Sequence, residues 1–252
     1  MSVEYAPKGL IGLLTPQANT TVEPEHFILL PAGYAHINGR LMSDKSTIES
    51  RLVDYVDRLE DACDQFANAP IQAVSVGCTG ASYLVGRERE KEVLANIERK
   101  RGVPAFTAAT AVVAALAQLG ARRVALASPY PDSLTAASKT YWESQGFKVS
   151  RIASAPMDTT QFHPIYSMKA GTAGKLLDDL ASDDTDAILM LGTGMPTLEP
   201  LLIANEQSRV PVLSCMLCLA WMGVSVIDGQ PAPLRPWLTG AHWRERLARQ
   251  QA

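Results

Sequence analysis

The chain has 252 residues, of which 47% are hydrophobic and 19% charged, with a net charge of −3. This composition is typical of a globular protein with a sizeable core, and its charge excludes a polyanion such as a nucleic acid as the partner. No apolar run approaches the roughly 18 residues of a membrane span, the first residues lack a signal-peptide pattern, and four cysteines do not suggest a disulfide framework. We therefore expect a cytoplasmic protein with no membrane partner.

Short apolar runs that end in small or turn residues recur along the chain and predict buried strands. The predicted strands are Leu10–Leu14, Tyr34–Asn38, Ile71–Val76, Val103–Phe106, Val124–Ala127, Phe147–Ile152, Ala187–Leu191 and Val210–Leu213. Amphipathic or alanine-rich stretches between these runs predict helices. The predicted helices are Ser46–Phe66, Glu88–Arg101, Ala108–Leu119, Leu134–Gln145, Ala173–Leu180, Leu198–Glu206, Cys215–Val226 and Ala241–Arg249. The alternation of strand and helix indicates α/β architecture, with parallel sheets and crossover helices.

The chain also repeats itself. Three pairs of segments match in the same order and at nearly the same spacing: Leu10–Pro16 with Arg123–Pro129, Ala73–Gly80 with Ala187–Gly194, and Val103–Thr107 with Val210–Ser214. The repeat predicts two pseudo-symmetric Rossmann-like lobes, each a mainly parallel four-stranded sheet flanked by helices, with the active site in the cleft between them. We place the first lobe in residues 1–115, joined by the C-terminal segment 215–252, and the second in residues 116–214.

One thiol lies where such a fold binds its ligands. The strand that ends at Val76 runs into Gly77, Cys78, Thr79 and Gly80, and ligands of open α/β sheets bind outside the carboxyl ends of the strands. Cys78 could be a nucleophile or a proton donor, whereas the alternative is a buried structural cysteine. Amides of the turn at a helix start would lower its pKa and bind carboxylate oxygens.

The repeat supplies a second turn of the same kind. Gly192, Thr193 and Gly194 are equivalent to the turn of Cys78, and would face it across the cleft. Two more polar side chains follow strand ends: Asn19 can donate to a carboxylate or cap a helix, and Tyr130 can donate from its hydroxyl or be a half-buried aromatic. The carboxylate of Glu23 is expected to complement the N-terminus of the helix that begins near Thr20.

These motifs carry a family resemblance. Pro16 through Glu23, with Asn19 at its centre, resembles the Pro-x-x-Asn-Thr-Thr-x-Glu signature of maleate isomerases, and the segment 77–82 is similar to their first catalytic-cysteine loop. Ser128–Tyr130 resembles a substrate-binding tyrosine loop, and 192–198 a second cysteine loop. The chain is thus similar to the aspartate/glutamate racemase superfamily, in the branch of maleate cis-trans isomerases and arylmalonate decarboxylases.

The resemblance implies Cys78 as the catalytic residue, and Pro16, Asn19, Thr79, Gly80, Tyr130, Gly192, Thr193 and Gly194 as substrate-binding residues. It breaks at Gly192, where maleate isomerases and two-base racemases have a second cysteine. Arylmalonate decarboxylases have the reverse arrangement, with glycine first and the cysteine second. Two-thiol racemisation is therefore not expected unless another group, such as His163, reaches across, and Gly192 could also enlarge the pocket for a bulkier substrate.

Three functions stay open from the sequence. The first is a cofactor-independent, maleate-isomerase-like enzyme that acts on a small dicarboxylate, without metal or organic cofactor. The second is an arylmalonate-type decarboxylase in which the same cysteine donates a proton stereospecifically. The third is a non-catalytic carboxylate-binding protein.

The other cysteines are interpreted as core residues. Cys215 and Cys218 have C-x-x-C spacing, but they fall in an apolar helical run without a second pair. Cys63 lies on the apolar stripe of a predicted helix. The proline-rich segment 231–237 is interpreted as a surface loop, and the alternative of an oligomer contact there, hence of a homo-oligomer, stays open.

Overall fold

The computed structural model describes residues 3–156, 162–178, 180, 182 and 184–251. The strands are β1 (Gly9–Pro16), β2 (Tyr34–Leu41), β3 (Ala73–Val76), β4 (Ala105–Thr107), β5 (Arg123–Ser128), β6 (Lys148–Ser154), β7 (Ala187–Met190) and β8 (Val212–Ser214). They form two four-stranded sheets, ordered β2-β1-β3-β4 and β6-β5-β7-β8. Every ladder within these sheets is parallel. The two sheets share one topology, which confirms the predicted pair of similar α/β lobes.

Helices connect and flank the strands. They are α1 (Val22–Leu29), α2 (Ile48–Asp57), α3 (Leu59–Ala62), α4 (Gly80–Arg101), α5 (Ala108–Gln118), α6 (Asp132–Ser144), α7 (Ala170–Leu177), α8 (Leu198–Gln207), α9 (Cys215–Ile227), α10 (Leu234–Leu238) and α11 (Arg244–Gln251), with short 3₁₀ helices at Cys63–Phe66 and Pro164–Ser167. Among the described residues, no helix is both long and apolar enough to cross a membrane.

Two helices differ from the prediction. The single helix expected over Ser46–Phe66 is interrupted at Arg58, whose backbone leaves the helical region, although its apolar stripe continues into α3. The helix expected from Glu88 begins eight residues earlier, at Gly80, and is broken at Gly86. Gly86 has φ +75°, a conformation that glycine adopts without steric cost. The break lets the first turn of α4 follow β3 directly while the rest of the helix runs in another direction.

The central strands form the core of each lobe, because β1, β3 and β7 are buried along their whole length. Helix α9 follows the last strand of the second sheet but packs against α1, α5, β1 and β3 of the first half. A Cβ on Gly223 of α9 would lie 2.7 Å from Ile11 Cδ1 of β1, so the helix approaches this sheet closely. The interpretation of the proline-rich segment as a surface loop is wrong for its last part, because Trp237 in α10 is buried.

Candidate active site

The loops that follow β1, β3, β5 and β7 meet in one cavity. Its lining residues are Pro16, Asn19, Leu52, Cys78, Thr79, Gly80, Tyr130, His163, Ile165, Tyr166, Thr193 and Gly194. The cavity therefore collects eight of the nine residues singled out from the sequence, and it draws them from both halves of the repeat. Gly192 does not line it.

Cys78 lies between β3 and the first turn of α4. Its side chain is 4% exposed. Burial raises the pKa of the Cys78 thiol to about 11, and hydrogen bonds from the amides of Ala81 and Gly80 oppose this shift. The amides thus act in the expected direction, because they stabilise the thiolate at a helix N-terminus. Burial outweighs them, and the thiol is protonated at neutral pH.

Tyr130, in the loop after β5, provides a hydroxyl from the second lobe, opposite the lobe of Cys78. Its Oη lies 3.1 Å from Oγ1 of Thr79, the residue after Cys78. Burial raises the pKa of Tyr130 well above its ordinary value. Tyr130 is therefore a neutral hydrogen-bond donor throughout the physiological range, next to the thiol loop.

Gly192 has φ +85°, a left-handed conformation that disfavours any side chain. A Cβ there would lie 2.9 Å from Ile165 Cδ1, 3.0 Å from Pro129 Cγ and 3.1 Å from Tyr130 Oη. The idea that this glycine enlarges the pocket is therefore wrong, since neighbouring side chains fill the space. The Tyr130 hydroxyl lies close to the point where a second thiol side chain would start.

Hydrogen bonds across the cleft fix the two turns relative to each other. Thr193 Oγ1 donates to the Gly77 carbonyl at 2.7 Å, and Thr21 Oγ1 donates to the Gly194 carbonyl at 2.8 Å. Asn19 Nδ2 donates to the Thr193 carbonyl at 3.2 Å. These hydrogen bonds therefore hold the strand-end loops of the two lobes in a fixed position relative to each other.

Asn19 also has the capping role that the sequence left open. Its Oδ1 accepts from the amides of Thr21 at 2.8 Å and Val22 at 3.0 Å, at the start of α1. One Nδ2 hydrogen is engaged with Thr193, and the side chain still lines the cavity. Capping and ligand contact are thus compatible in this residue.

Glu23 pairs with a cation that the sequence did not single out. Arg40 Nη2 lies 2.5 Å from Glu23 Oε1. Arg40 Nη1 donates to the carbonyls of Pro16 at 3.3 Å and Asn19 at 3.2 Å. The pair therefore supports the loop after β1 from outside the cavity.

One wall of the cavity comes from a segment without a strand-end motif. His163, Ile165 and Tyr166 lie between β6 and α7 and close the site beside Leu52 of α2. Burial lowers the pKa of His163 to about 4, so its imidazole is neutral and a weak base. Its ring packs edge-on against Tyr166, with 4.8 Å between centroids. Of these wall residues, only His163 was singled out from the sequence. For Ile165 and Tyr166, the signal available in the sequence was a run of aromatic and apolar residues in a loop.

Cys215, which was interpreted from the sequence as a core residue, is fully buried and also contacts the turns that form the site. Its Sγ donates to the Met190 carbonyl at 3.4 Å. Burial raises the pKa of Cys215 to about 12, and hydrogen bonds from the Gly192 amide and the Thr79 hydroxyl oppose this shift. Cys215 thus supports both turns, whereas Cys63 and Cys218 are buried elsewhere in the core. Within the described part of the chain, no three His, Cys, Asp or Glu side chains are grouped so as to hold a metal ion.

Comparison with known proteins gives matches over most of the chain. A family model for arylmalonate decarboxylase matches residues 11–233. The maleate isomerase of Geobacillus stearothermophilus is 27% identical over 222 residues, which cover 81% of this chain and 86% of that protein.

The solved structures of two maleate isomerases illustrate the shared fold. A variant of the maleate isomerase Iso from Pseudomonas putida S16, with maleate, has a TM-score of 0.81 at 20% identity and covers 93% of this chain and 99% of its own. A mutant of the Nocardia farcinica maleate cis-trans isomerase, with a covalently bound succinylcysteine intermediate, has a TM-score of 0.76 at 22% identity, covering 87% and 93%.

Proposed function

The chain belongs to the arylmalonate decarboxylase family, and we propose that it converts a small dicarboxylate through Cys78 without a cofactor. It is an enzyme of the isomerase and decarboxylase type. The first candidate reaction is cis-trans isomerisation of a maleate-like diacid. The observation that supports it most is the single thiol at the N-terminus of α4, in a small cavity with neutral hydrogen-bond donors.

Isomerisation requires one thiol. Sγ of Cys78 adds to one alkene carbon, and the alkene electron pair moves into the neighbouring carboxylate as an enediolate. The thiol proton passes to the other carbon, which leaves a single bond that rotates. Loss of the same proton and of Sγ regenerates the thiol and releases the trans diacid. A covalent succinylcysteine has been captured in the Nocardia farcinica isomerase, a relative with this fold.

The neutral donors suit the charge that develops on the substrate. As the enediolate forms, negative charge accumulates on carboxylate oxygens, and the hydroxyls of Thr79 and Tyr130 and the amide of Asn19 line the cavity that would hold them. Removal of one donor of this kind typically costs on the order of 2.7–4 kcal/mol of transition-state stabilisation. These side chains are therefore proposed as the binding groups for the reacting carboxylate.

The raised pKa of Cys78 favours a second candidate, decarboxylation of a malonate-type acid. Carbon dioxide leaves, its bonding electron pair forms an enediolate on the remaining carboxylate, and the neutral thiol donates its proton to the carbon. Solvent then reprotonates the thiolate. Since the thiol belongs to the first lobe, it would protonate the carbon from the face opposite to that used by an enzyme with its thiol at the Gly192 position. The product would therefore have the opposite configuration.

Turnover by the purified protein tests the proposal. We expect NMR to detect fumarate from maleate, or an arylacetate from an arylmalonate for the second candidate. Cys78→Ala should lower the rate by at least about 10²–10⁴-fold, the usual contribution of a positioned proton-transfer group. Cys218→Ala, a buried thiol away from the cavity, is the matched control and should leave the rate unchanged. Turnover retained in Cys78→Ala would overturn the assignment of Cys78, and binding of these compounds without turnover would overturn both candidate reactions.

A further inference from the structure

An arginine that the reaction has not yet used lies beside the cavity wall formed by α2 and the segment after β6, next to the residues that line the cavity. Arg51 precedes Leu52, which lines the cavity, and its guanidinium lies over the ring of Phe162, with Cζ 4.5 Å from the centroid. Phe162 is followed by His163 and then Tyr166 of the cavity wall. Burial lowers the pKa of His163 and raises that of Tyr166, and the charge of Arg51 adds to the first shift and opposes the second, so it acts on the cavity wall.

Arg51 has no carboxylate within 4.0 Å among the described residues. Its Nη2 donates to the Lys45 carbonyl at 3.0 Å, and its Nε is buried without an acceptor. A buried donor left without an acceptor is destabilising. Arg40, the other arginine that acts on Tyr166, is instead paired with Glu23. Arg51 is therefore held in place by a carbonyl and an aromatic ring, with its charge uncompensated.

The donors inside the cavity do not balance the charge of a diacid. Asn19, Thr79 and Tyr130 are neutral, as are the backbone amides of the two turns, so none of them offsets a second negative charge. A cation would offset it, and a guanidinium fork matches carboxylate geometry with paired N–H donors. The cation beside the 162–166 wall is suited to that role.

We propose that Arg51 binds the second carboxylate of the substrate at the edge of the cavity and thereby selects diacids over monoacids. This inference rests on the proposed function, because it assumes that one carboxylate binds near Cys78. It makes Arg51 a specificity-determining residue.

The test compares succinate with succinamate, which has the same shape but carries a carboxamide in place of one carboxylate. Each compound is used to protect Cys78 from iodoacetamide, and labelling of the Cys78 peptide is followed by mass spectrometry. In the wild-type protein we expect succinate to protect at a concentration about tenfold or more below that of succinamate. In Arg51→Gln the two compounds should protect at nearly equal concentrations, with little change for succinamate.

Two variants make the result specific. Arg58→Gln removes another arginine, at the end of α2, which is near Asp54 and donates to the Met42 carbonyl. It should keep the wild-type preference for succinate. Arg51→Lys retains the charge without the guanidinium fork, so it should retain part of the preference for succinate. This variant keeps the test valid if Arg51→Gln does not fold. Thermal unfolding verifies that each variant is folded.

The outcomes separate this inference from the proposed function. A preference for succinate that persists in Arg51→Gln, or an equal loss of protection by both compounds, overturns the role of Arg51 while the function of Cys78 stands. Failure of both compounds to protect wild-type Cys78, together with absence of turnover, overturns both. Loss of the succinate preference in Arg51→Gln alone supports the proposal.

Discussion

Cys78 is subject to two opposing effects that come from the same placement. The strand-to-helix junction gives its Sγ the amides of Gly80 and Ala81, which favour the thiolate. The same junction buries the side chain between two lobes, which favours the thiol and outweighs the amides. The resting enzyme thus has a protonated thiol that can deliver a proton, and nucleophilic attack requires that the proton be transferred as the bond to sulfur forms.

This balance predicts a distinctive pH dependence of reactivity. Since the thiolate is the nucleophile and the pKa of Cys78 is about 11, alkylation by iodoacetamide should accelerate nearly tenfold per pH unit from pH 7 to 10. Mass spectrometry of the Cys78 peptide measures the rate, and Cys78→Ser provides the blank. A plateau near the ordinary thiol value of roughly 8.5 would contradict the effect of burial.

The sequence was sufficient to find the residues that follow central strands, because strand ends and the internal repeat both point to the same edge of the sheets. Eight of those nine residues line the cavity. It was not sufficient for Leu52, Ile165 and Tyr166, which reach the site through the packing of α2 and the 162–166 segment. Their positions depend on tertiary contacts that no periodicity encodes. Cys215 was correctly placed in the core, but its contact with the turn at Gly192 depends on how α9 enters the structure.

At the scale of elements, the sequence located all eight strands of the two sheets, because most of them are short apolar runs between turn residues, although the edge strands β2 and β6 are more polar. It erred where a helix changes direction. The apolar stripe of Ser46–Phe66 continues through the interruption at Arg58, and a periodic pattern does not reveal such a break. The first turn of α4 was missed because Gly80–Ser82 is small and polar, although it carries the amides that contact Cys78.

A substitution of Gly192, in the turn after β7, tests whether glycine is required there for its left-handed backbone alone or also because a side chain has no space. Gly192→Ala should be destabilising by about 1–2 kcal/mol for the left-handed backbone and by a further 1–3 kcal/mol or so for overpacking against Ile165 and Pro129. Gly120→Ala is the matched control, because Gly120 has φ +66° but no atoms within 4 Å of a Cβ. Urea unfolding measures both. Equal losses of stability in the two variants would show that the space beside Gly192 is not restricted.

At the scale of the whole molecule, one buried carboxylate joins the two halves. Glu25 of α1 accepts from the Thr197 amide at 2.5 Å and from Thr197 Oγ1 at 2.9 Å, at the N-terminus of α8. Together with the cross-cleft bonds of Thr193 and Thr21, this contact fixes the cavity between the lobes. Burial raises the pKa of Glu25 to about 7, against the hydrogen bonds from Thr197 and Leu198.

This shift predicts how stability depends on pH. Between pH 4.5 and 7 the folded protein retains the Glu25 proton that the unfolded chain releases, so this group's contribution to stability falls as pH rises. The loss amounts to about 3 kcal/mol, at about 1.4 kcal/mol per pH unit. His163, with its pKa lowered to about 4, has the opposite effect over part of this range. The wild-type curve alone therefore does not isolate Glu25.

Glu25→Gln isolates it, because an amide of the same shape does not ionise. We expect the free energy of unfolding of Glu25→Gln, minus that of the wild type, to become more positive by about 3 kcal/mol between pH 4.5 and pH 8. Glu25→Ala loses the hydrogen bonds as well, so it should be less stable than Glu25→Gln at both pH values while following the same trend. Urea unfolding across this range measures the difference. A difference between Glu25→Gln and wild type that does not change with pH would show that the carboxylate is already ionised in the folded protein, and that α1 and α8 are joined across the lobes by an anion at the helix N-terminus.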